Sequence, residues 1–330
     1  MLGRSSRVRR LLVILATAVA ATALPTGCFV APSRPPLGPE PEAIQPPGDA
    51  PYTPYHAWTN HTDGKVGEDL FPILLPDGSG VLFASNRHSP RYKIYLRRLG
   101  EHTVRQITHG EGDDAHCTVA ADGDRMVFAS NRSGRWALYL MDGLDDPEVR
   151  RLTEETVDSV HPSFSPNGKE VAFNRRSPVS GDWEIWILDL TTGQPRFVCN
   201  GLFPSFHPMG HLLAFQRHRR RDEQWYSIWT IETDGTRERE IVSGKDWAAV
   251  NPEWSPSGAQ IVFNTVRSLS APTEPNRGDD IFVVGANGEQ PTRLTFSAGA
   301  EWNPFWGTDG RIYFNATIDG ATAVWSLAPE

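Results

Sequence analysis

Six times along this chain of 330 residues, a turn that contains glycine is followed by a short apolar strand that contains a phenylalanine. Successive turn glycines lie 45, 45, 42, 48 and 52 residues apart. A period in the forties, with four strand-like runs in each unit, is typical of β-propeller blades. The turn glycines are Gly78, Gly123, Gly168, Gly210, Gly258 and Gly310, and the phenylalanines are Phe83, Phe128, Phe173, Phe215, Phe263 and Phe314. The sequence therefore predicts an all-β fold, a six-bladed β-propeller of four-stranded antiparallel blades.

The third unit shows the blade pattern most clearly. Its four strand-like runs are 161–165, 170–174, 184–188 and 196–199, and a Pro-Asn-Gly turn at 166–168 joins the first two. Proline presets the backbone angle of such a turn and glycine accepts a positive φ, so the hairpin has a physical basis. Alternating apolar residues with β-branched or aromatic side chains favour strands over helices.

The two ends of the repeat region complement each other. The sixth unit stops after its third strand at 323–327, while the segment 55–60 resembles the outer strands of the other units. We expect this N-terminal strand to close the last blade, because closure leaves no sheet edge open. Large apolar residues at one position of each first strand should fill the spaces between blades; they are Leu74, Val119, Phe164, Phe206, Trp254 and Trp306.

The first 53 residues predict export and attachment. Residues 1–27 have a basic start and then an uncharged apolar run at 11–24, which is too short to span a bilayer and suits a signal peptide. The residues before Cys28 resemble the lipobox of bacterial lipoproteins, which implies lipidation of Cys28; ordinary cleavage nearby is the alternative. Phe29 then favours the outer membrane. Residues 28–53 are proline-rich and predict an extended tether, followed by the propeller at 54–330.

Charge and cysteine usage narrow the partners. The formal net charge is −8, and removal of the signal peptide also removes four arginines, so the exported chain is more acidic still. Nucleic acid is therefore not expected as a partner, because phosphates need a basic face. Cys117 and Cys199 fall on different units, beyond the ~7 Å Cα separation that a disulfide tolerates. We predict that both thiols are unpaired.

Several repeat motifs resemble those of the TolB-type propeller. The matching segments are Asp69–Pro72, Pro76–Gly78, Phe83–Arg87, Arg151–Thr153, Ser165–Gly168, Ser255–Gly258 and Arg293–Thr295. The resemblance covers about 54–330. It implies a non-enzymatic propeller that faces the periplasm and docks other envelope proteins or their peptide segments.

Polar residues recur at the start of the inner strands, where we expect the mouth of the central channel. Directly before the inner-strand proline or Cys117 stand Phe71, His116, His161, Phe203, Asn251 and Asn303. Slightly earlier come Asp69, Asp114, Asp158 and Glu301, and neighbouring loops supply Arg87, Arg132, Arg175, Arg176 and Arg267. This set predicts polar recognition of a partner segment. Two alternatives stay open: the histidines and carboxylates hold a divalent cation such as Ca²⁺, or these side chains cap strand ends and pair with the loop arginines.

No catalytic motif stands out, since the sequence lacks a nucleophile elbow, a zinc-protease helix motif and a phosphate-binding glycine loop. The sequence thus predicts a tethered, exported binding or scaffold module without a cofactor. The alternative is a carbohydrate-active enzyme resembling metal-dependent pectate-fragment lyases, or a sugar-binding propeller. The Pro- and Ser-rich loop 268–277 is expected to overhang the mouth, and the basic run 218–221 to be a solvated loop.

Overall fold

The structure is a computed structural model that describes residues 58–145, 147–218, 225–245, 247–267, 279–297 and 299–329. These residues form six four-stranded antiparallel sheets, each of them one blade of a β-propeller. Both the fold class and the number of blades are therefore as predicted. Within these ranges no helix has the length and hydrophobicity needed to cross a bilayer.

The strands follow one another from the inside of each blade to its outside. The first strand of the chain, β1 (Thr59–Asn60), belongs to the last blade. Blade 1 consists of β2 (Asp69–Leu74), β3 (Gly80–Ser85), β4 (Lys93–Arg98) and β5 (Val104–Gln106). Blade 2 consists of β6 (Asp114–Val119), β7 (Arg125–Ser130), β8 (Ala137–Asp142) and β9 (Glu148–Arg151). Blade 3 consists of β10 (Ser159–Phe164), β11 (Glu170–Arg176), β12 (Trp183–Asp189) and β13 (Pro195–Asn200).

The remaining three blades repeat this order. Blade 4 consists of β14 (Leu202–Phe206), β15 (Leu212–His218), β16 (Tyr226–Glu232) and β17 (Arg239–Val242). Blade 5 consists of β18 (Trp247–Trp254), β19 (Gln260–Arg267), β20 (Ile281–Gly285) and β21 (Thr292–Arg293). Blade 6 consists of β22 (Glu301–Trp306), β23 (Ile312–Ile318) and β24 (Ala321–Leu327), with β1 as its outermost strand.

The strand order gives the propeller two different faces. The connections between blades and the loops between second and third strands lie on one side, which we call the loop face. The tight turns between first and second strands lie on the other side, the turn face. All six turn glycines have a positive φ, between 64° and 80°, as the turn prediction requires.

Closure of the ring ties the two ends of the propeller together. Thr59 pairs with Ser326 and Asn60 with Trp325 in antiparallel register. The backbone N–H of His61 then donates to the carbonyl of Val324 at 2.9 Å. These contacts confirm the predicted N-terminal closing strand for its described part; residues 55–57 of the prediction lie outside the described residues.

The core lies mainly between neighbouring blades. Phe206 packs in one cluster with Ile185 of blade 3 and Phe215 of blade 4, and Trp254 occupies the equivalent place between blades 4 and 5. Such burial contributes about 25 cal/mol for each Å² of apolar surface removed from water. The predicted wedge residues are therefore confirmed as packing between blades. Cys117 and Cys199 are buried and unpaired, also as predicted.

Candidate functional site in the central channel

The innermost strand of each blade places one side chain in the channel through a left-handed residue. These six residues have φ between 47° and 56°, and we call them the channel ring: Phe71, His116, His161, Phe203, Asn251 and Asn303. Each lies at a β-bulge, where one extra residue interrupts the pairing of the first two strands. A non-glycine residue held in this conformation costs of order 1–3 kcal/mol. The sixfold recurrence shows that the propeller architecture imposes it.

Proline accompanies the bulge in most of the blades. In five blades the residue after the ring position is proline, which has no N–H to pair with the second strand; blade 2 has Cys117 instead. The sequence analysis found the six positions but not their left-handed backbone, because none of them is glycine. The proline that follows five of the six positions was the sequence feature that could have indicated the irregular backbone.

Four consecutive members of the ring form an aromatic arc. The ring centroids of Phe71 and His116 lie 4.0 Å apart, and those of His116 and His161 lie 4.1 Å apart. Those of His161 and Phe203 lie 3.7 Å apart. Contacts this close are typical of packed aromatic side chains. The two histidines that the sequence placed near each other are thus brought into direct contact, edge to face, within this arc.

The other two members form an amide arc. Nδ2 of Asn251 donates to Oδ1 of Asn303 at 3.1 Å and to Oδ1 of Asn264 at 2.9 Å. Nδ2 of Asn303 donates in turn to Oδ1 of Asn315 at 3.3 Å. These hydrogen bonds fix the orientation of both ring amides. The ring is consequently apolar and aromatic on one side and polar on the other.

Buried amides of the second strands attach the ring to the next blade. Asn174 accepts the backbone N–H of Phe203 at 2.8 Å. Gln216 accepts that of Asn251 at 2.7 Å, and Asn315 accepts that of Phe71 at 2.9 Å. A buried N–H without a partner would cost about 1–3 kcal/mol. These amides therefore hold the strained ring residues in place.

Both channel histidines are neutral near pH 7. Burial lowers the pKa of His116 to about 3. Burial also holds the pKa of His161 well below its usual value, and the neighbouring His116 adds to the effect. Nδ1 of His161 lies 3.3 Å from Oδ1 of Asn174, whereas its Nε2 has no hydrogen-bond partner among the described residues. Nε2 is therefore a buried acceptor without a partner among the described residues when Nδ1 carries the proton.

A cavity of about 120 Å³ lies against the ring, on the side toward the turn face. Its lining includes the ring residues and Glu253, which follows the proline after Asn251. The equivalent residues of the other blades are uncharged: Ile73, Thr118, Ser163, Ser205 and Phe305. Burial raises the pKa of Glu253 to about 7, although a hydrogen bond with Ser205 opposes the shift. The sequence analysis missed Glu253, since nothing local distinguishes it from other strand residues.

The predicted aspartates of blades 1 and 2 lie at the loop face in buried ion pairs. Nη2 of Arg87 donates to both carboxylate oxygens of Asp69 at 2.9 Å. Oδ1 of Asp114 pairs with Nη2 of Arg132 at 3.1 Å, and Oδ2 of Asp114 pairs with Nζ of Lys93 at 3.0 Å. This arrangement matches the alternative in which these residues cap strand ends and pair with loop arginines. Lys93 was not among the predicted site residues.

The arginines of these pairs also stack on tyrosines of the third strands. The guanidinium carbon of Arg87 lies 5.5 Å from the ring centre of Tyr95, and that of Arg132 lies 4.9 Å from that of Tyr139. Cation–π contacts of this kind contribute roughly 0.5–1 kcal/mol at exposed sites and more where water is excluded. The two loop arginines are therefore held by the protein on two sides.

The remaining predicted residues lie in different surroundings. Oδ1 of Asp158 accepts the N–H of Trp136 at 3.1 Å. Glu301 is fully buried and accepts a hydrogen bond from the hydroxyl of Ser297. Burial, with a smaller contribution from Asp280, raises the pKa of Glu301 to about 7.

The loop-face arginines of blade 3 are also engaged. Arg175 pairs with Glu154 at 3.2 Å, and Arg176 stacks on Trp183. The side chain of Arg267, the loop 268–277 and most of the run 218–221 lie outside the described residues, as does Cys28.

Comparison with known proteins agrees with the propeller fold. A family model described as the TolB beta propeller domain matches residues 63–256, which is more than half of the chain. No curated protein matches the chain.

Solved structures with 25% identity or less share the fold. A structure assigned as TolB from Agrobacterium tumefaciens has a TM-score of 0.58 and 17% identity, over 80% of this chain and 91% of that chain. Oligogalacturonate lyase from Vibrio parahaemolyticus has a TM-score of 0.58 and 14% identity, over 83% and 94% of the two chains. An oligogalacturonate lyase in complex with manganese has a TM-score of 0.58 and 16% identity, over 83% and 93%.

Proposed function

We propose that this chain, which belongs to the TolB beta propeller domain family, is a non-enzymatic module that binds a segment of another cell-envelope protein at its central channel. Export and a lipid anchor at Cys28 are part of the same proposal. They are supported by the basic start, the apolar run 11–24 and the residues before Cys28. The proline-rich residues 28–53 would tether the propeller to the membrane, with the outer membrane favoured.

The observation that carries this proposal is the composition of the channel. The cavity beside the ring is lined by the amides of Asn251 and Asn303 and by the carboxyl of Glu253. A volume of about 120 Å³ corresponds to roughly four water molecules at about 30 Å³ each. It is therefore suited to one side chain or loop tip of a partner. Because the ring is held by hydrogen bonds and by close aromatic contacts, little conformational freedom would be lost on binding.

Oligosaccharide cleavage is the second candidate, and the fold similarity to two oligogalacturonate lyases favours it. One of those structures contains manganese. Among the described residues of this chain, no group of three or more His, Cys, Asp or Glu side chains is placed to hold one metal ion. The ring of His116 lies edge-on to that of His161, and Nε2 of His161 is buried. The channel therefore does not fit such a metal centre, and we derive no catalytic step through one.

Site-specific photo-crosslinking in intact cells tests the binding proposal. A photoreactive amino acid is placed at Met209, which is exposed at the turn face, and as a control at Val149, which lies on the outer strand β9. We expect one specific protein adduct from the first position and none from the second. Equal labelling from both positions, or no adduct from either, would contradict a channel-directed partner.

An Asn303→Phe variant sharpens this experiment. Phenylalanine already occupies the left-handed ring position in blades 1 and 4, so the substitution should be accommodated and should extend the aromatic side into the cavity. We expect the adduct from position 209 to disappear while the thermal unfolding midpoint changes by only a few degrees. Activity of the wild-type chain on oligogalacturonate would instead support the second candidate.

A further inference from the structure

One position of the innermost strands carries an ionisable side chain in blade 5 alone. This position lies two residues after the channel-ring residue, and in strand β18 it is Glu253. The other five blades have uncharged residues there: Ile73, Thr118, Ser163, Ser205 and Phe305. The propeller backbone thus accepts an uncharged side chain at this position, and the carboxyl of Glu253 is a property of blade 5.

No positive charge of the described residues accompanies this carboxyl. Val262, which pairs with Glu253 across the sheet, is apolar, and the group that acts on the carboxyl from blade 4 is the hydroxyl of Ser205. Burial raises the pKa of Glu253 to about 7, and no charged neighbour contributes to the shift. A carboxylate that loses water without gaining a partner is destabilised, so a cation placed beside it would be bound favourably.

The cavity in the channel supplies no cation either. Among the described residues, its lining contains no lysine and no arginine. His116 and His161 belong to the lining, and burial keeps both neutral because it lowers the pKa of each. Burial raises the pKa of the Cys117 thiol to about 12, so this group stays protonated. The cavity therefore combines one carboxyl that ionises near pH 7 with no positive charge of its own.

The side chain of Glu253 is accessible from the channel. It lines the cavity of about 120 Å³ and keeps part of its surface exposed, whereas Pro252 and Trp254 on either side of it are buried. Asn251 lines the same cavity. Its Nδ2 donates hydrogen bonds to two neighbouring amides, while its Oδ1 accepts none from the described residues. A carboxyl and an amide oxygen therefore face one cavity as acceptors.

Most of the remaining lining is apolar. It consists largely of aromatic side chains and of the prolines that follow the ring positions: Phe71, Phe203, Phe305, Ile73, Pro72, Pro162, Pro204, Pro252 and Pro304. Such a surface suits the methylene stem of a long side chain, because burial of the stem is favourable while its charged end stays with polar groups. The faces of aromatic rings also attract a cation.

We propose that the channel cavity is a binding pocket for one lysine side chain of the partner segment, whose ammonium group pairs with the carboxylate of Glu253. This inference rests on the proposed function, because it names the chemistry of the segment that enters the channel. The ammonium group donates to Glu253 and to Oδ1 of Asn251, and the four-carbon stem lies against the prolines and the aromatic arc. The formal net charge of −8 attracts a basic segment toward the protein.

Lysine suits this cavity better than arginine. An ammonium group is a compact charge whose three donors can reach separate acceptors, whereas a guanidinium group pairs best with both oxygens of one carboxylate. The carboxyl of Glu253 already interacts with Ser205, so it is less available for such a twofold contact. The limited volume of the cavity also favours the smaller charged group.

Capped glycine pentapeptides with lysine, norleucine or arginine at the centre test the inference on the purified full chain. Norleucine has an unbranched apolar side chain and carries no charge, so it isolates the contribution of the ammonium group. Saturation-transfer NMR measures the dissociation constant of each peptide, even where binding is weak. We expect the lysine peptide to bind about tenfold more tightly than the norleucine peptide, and more tightly than the arginine peptide.

The pH dependence of binding is a second measurement on the wild-type chain. Lysine keeps its charge up to about pH 10, so Glu253 is the group that must change its ionisation. Because its pKa is about 7, its ionised fraction rises about tenfold between pH 6 and pH 8. We expect the affinity for the lysine peptide to rise by the same factor. Binding of the norleucine peptide should stay constant, since His116, His161 and Cys117 remain uncharged over this range.

Two variants locate the pocket. Glu253→Gln keeps the size of the side chain but cannot ionise, so it should abolish both the preference for lysine and its pH dependence. Glu301→Gln is the matched control, because burial raises the pKa of Glu301 to about 7 as well and this residue does not line the cavity. This control should retain both effects. If Glu253→Gln fails to fold, the peptide comparison and the pH dependence of the wild-type chain decide the question.

The opposite results are equally clear. Equal binding of the lysine and norleucine peptides overturns the inference, and so does a preference for lysine that survives Glu253→Gln. Tighter binding of the arginine peptide overturns the assignment to lysine. A photo-crosslinked adduct at position 209 without a preference for lysine supports the proposed function and removes this inference. A preference for lysine without that adduct supports the pocket and contradicts the envelope partner.

Discussion

Blades 1 and 2 differ from blades 3–6 in how they stabilise the inside of the propeller. In the first two blades the residue after the second-strand phenylalanine is alanine, and buried ion pairs at the loop face involve Asp69 and Asp114. In the other four blades that residue is a buried amide: Asn174, Gln216, Asn264 or Asn315. The backbone repeats in all six blades, while the polar groups that hold neighbouring blades together change.

This difference separates what all six blades share, the backbone, from what varies between them, the buried polar side chains. Packing and turns require the same backbone in every blade, whereas the polar side chains at equivalent positions differ from blade to blade. Glu253 and Glu301 are the buried carboxyls with raised pKa values among the described residues, and both lie in blades 5 and 6.

The largest expected effect comes from breaking the complete charge cluster between blades 1 and 2. Asp114→Asn leaves the ammonium group of Lys93 and the guanidinium group of Arg132 without their buried countercharge. We expect a loss of about 3–5 kcal/mol in the free energy of unfolding, measured by urea denaturation. Asp145→Asn, which removes the exposed partner of Arg105, is the control and should change almost nothing. Equal effects of the two variants would show that the cluster is not structural.

The second-largest expected effect is a pH dependence of stability caused by the buried carboxyl of Glu253. The folded state raises its pKa from 4.5 to about 7, so the folded protein holds this proton more tightly than the unfolded chain. The associated stability is fully present below pH 4.5 and is lost as the pH rises through 7. The shift corresponds to about 3 kcal/mol. We expect the stability difference between wild type and Glu253→Gln to change by this amount between pH 4 and pH 8.

Urea denaturation of both proteins across that pH range provides the measurement. Because the variant differs from wild type only at this carboxyl, contributions from other groups cancel in the difference. A difference that is independent of pH would mean that Glu253 is solvated in the channel, and the channel would then be more open than described.

The amide connections between blades predict an intermediate effect. Asn315 accepts the N–H of Phe71 and donates to the carbonyl of Asp69, so it joins blade 6 to blade 1. Asn315→Ala gives blade 6 the residue found in blades 1 and 2, and we expect a loss of about 2 kcal/mol by urea denaturation. Asn287→Ala, at an exposed turn, is the control. An unchanged stability would show that alanine suffices at every blade and that the amides serve only the channel.

The smallest effect is expected at the seam between blades 5 and 6. Burial raises the pKa of Glu301 to about 7, and no ion pair of the described residues includes this carboxyl, so Glu301→Gln should leave the stability within about 1 kcal/mol of wild type or increase it. This contrasts directly with Asp114→Asn at the equivalent position, since Glu301 and Asp114 both stand two residues before their ring residue. A loss as large as that of Asp114→Asn would mean that Glu301 is already neutralised within the protein.

Local sequence patterns predicted the fold well. The glycine turns set the period, the alternating apolar residues gave the strands, and the unmatched end of the sixth unit indicated closure by residues near Thr59. Each of these features depends on neighbours in sequence or on one repeated pattern. The wedge residues, such as Phe206 and Trp254, followed because their position in the repeat is constant.

The candidate site was predicted only in part. Ring residues such as His116 were recognised by their place before the proline, but their left-handed backbone depends on the closed ring. Lys93 was missed because its partner Asp114 lies 21 residues away on another blade. Glu253 was missed because only the assembled channel distinguishes it from exposed glutamates. The significance of Glu301 appears when its surroundings are compared with those of Asp114.

The free energies of unfolding of Asp114→Asn and Glu301→Gln, measured side by side by urea denaturation, test most directly whether equivalent polar positions of this propeller carry different loads. We predict a loss of about 3–5 kcal/mol for Asp114→Asn and a change within about 1 kcal/mol for Glu301→Gln. Equal losses in the two variants would contradict this account.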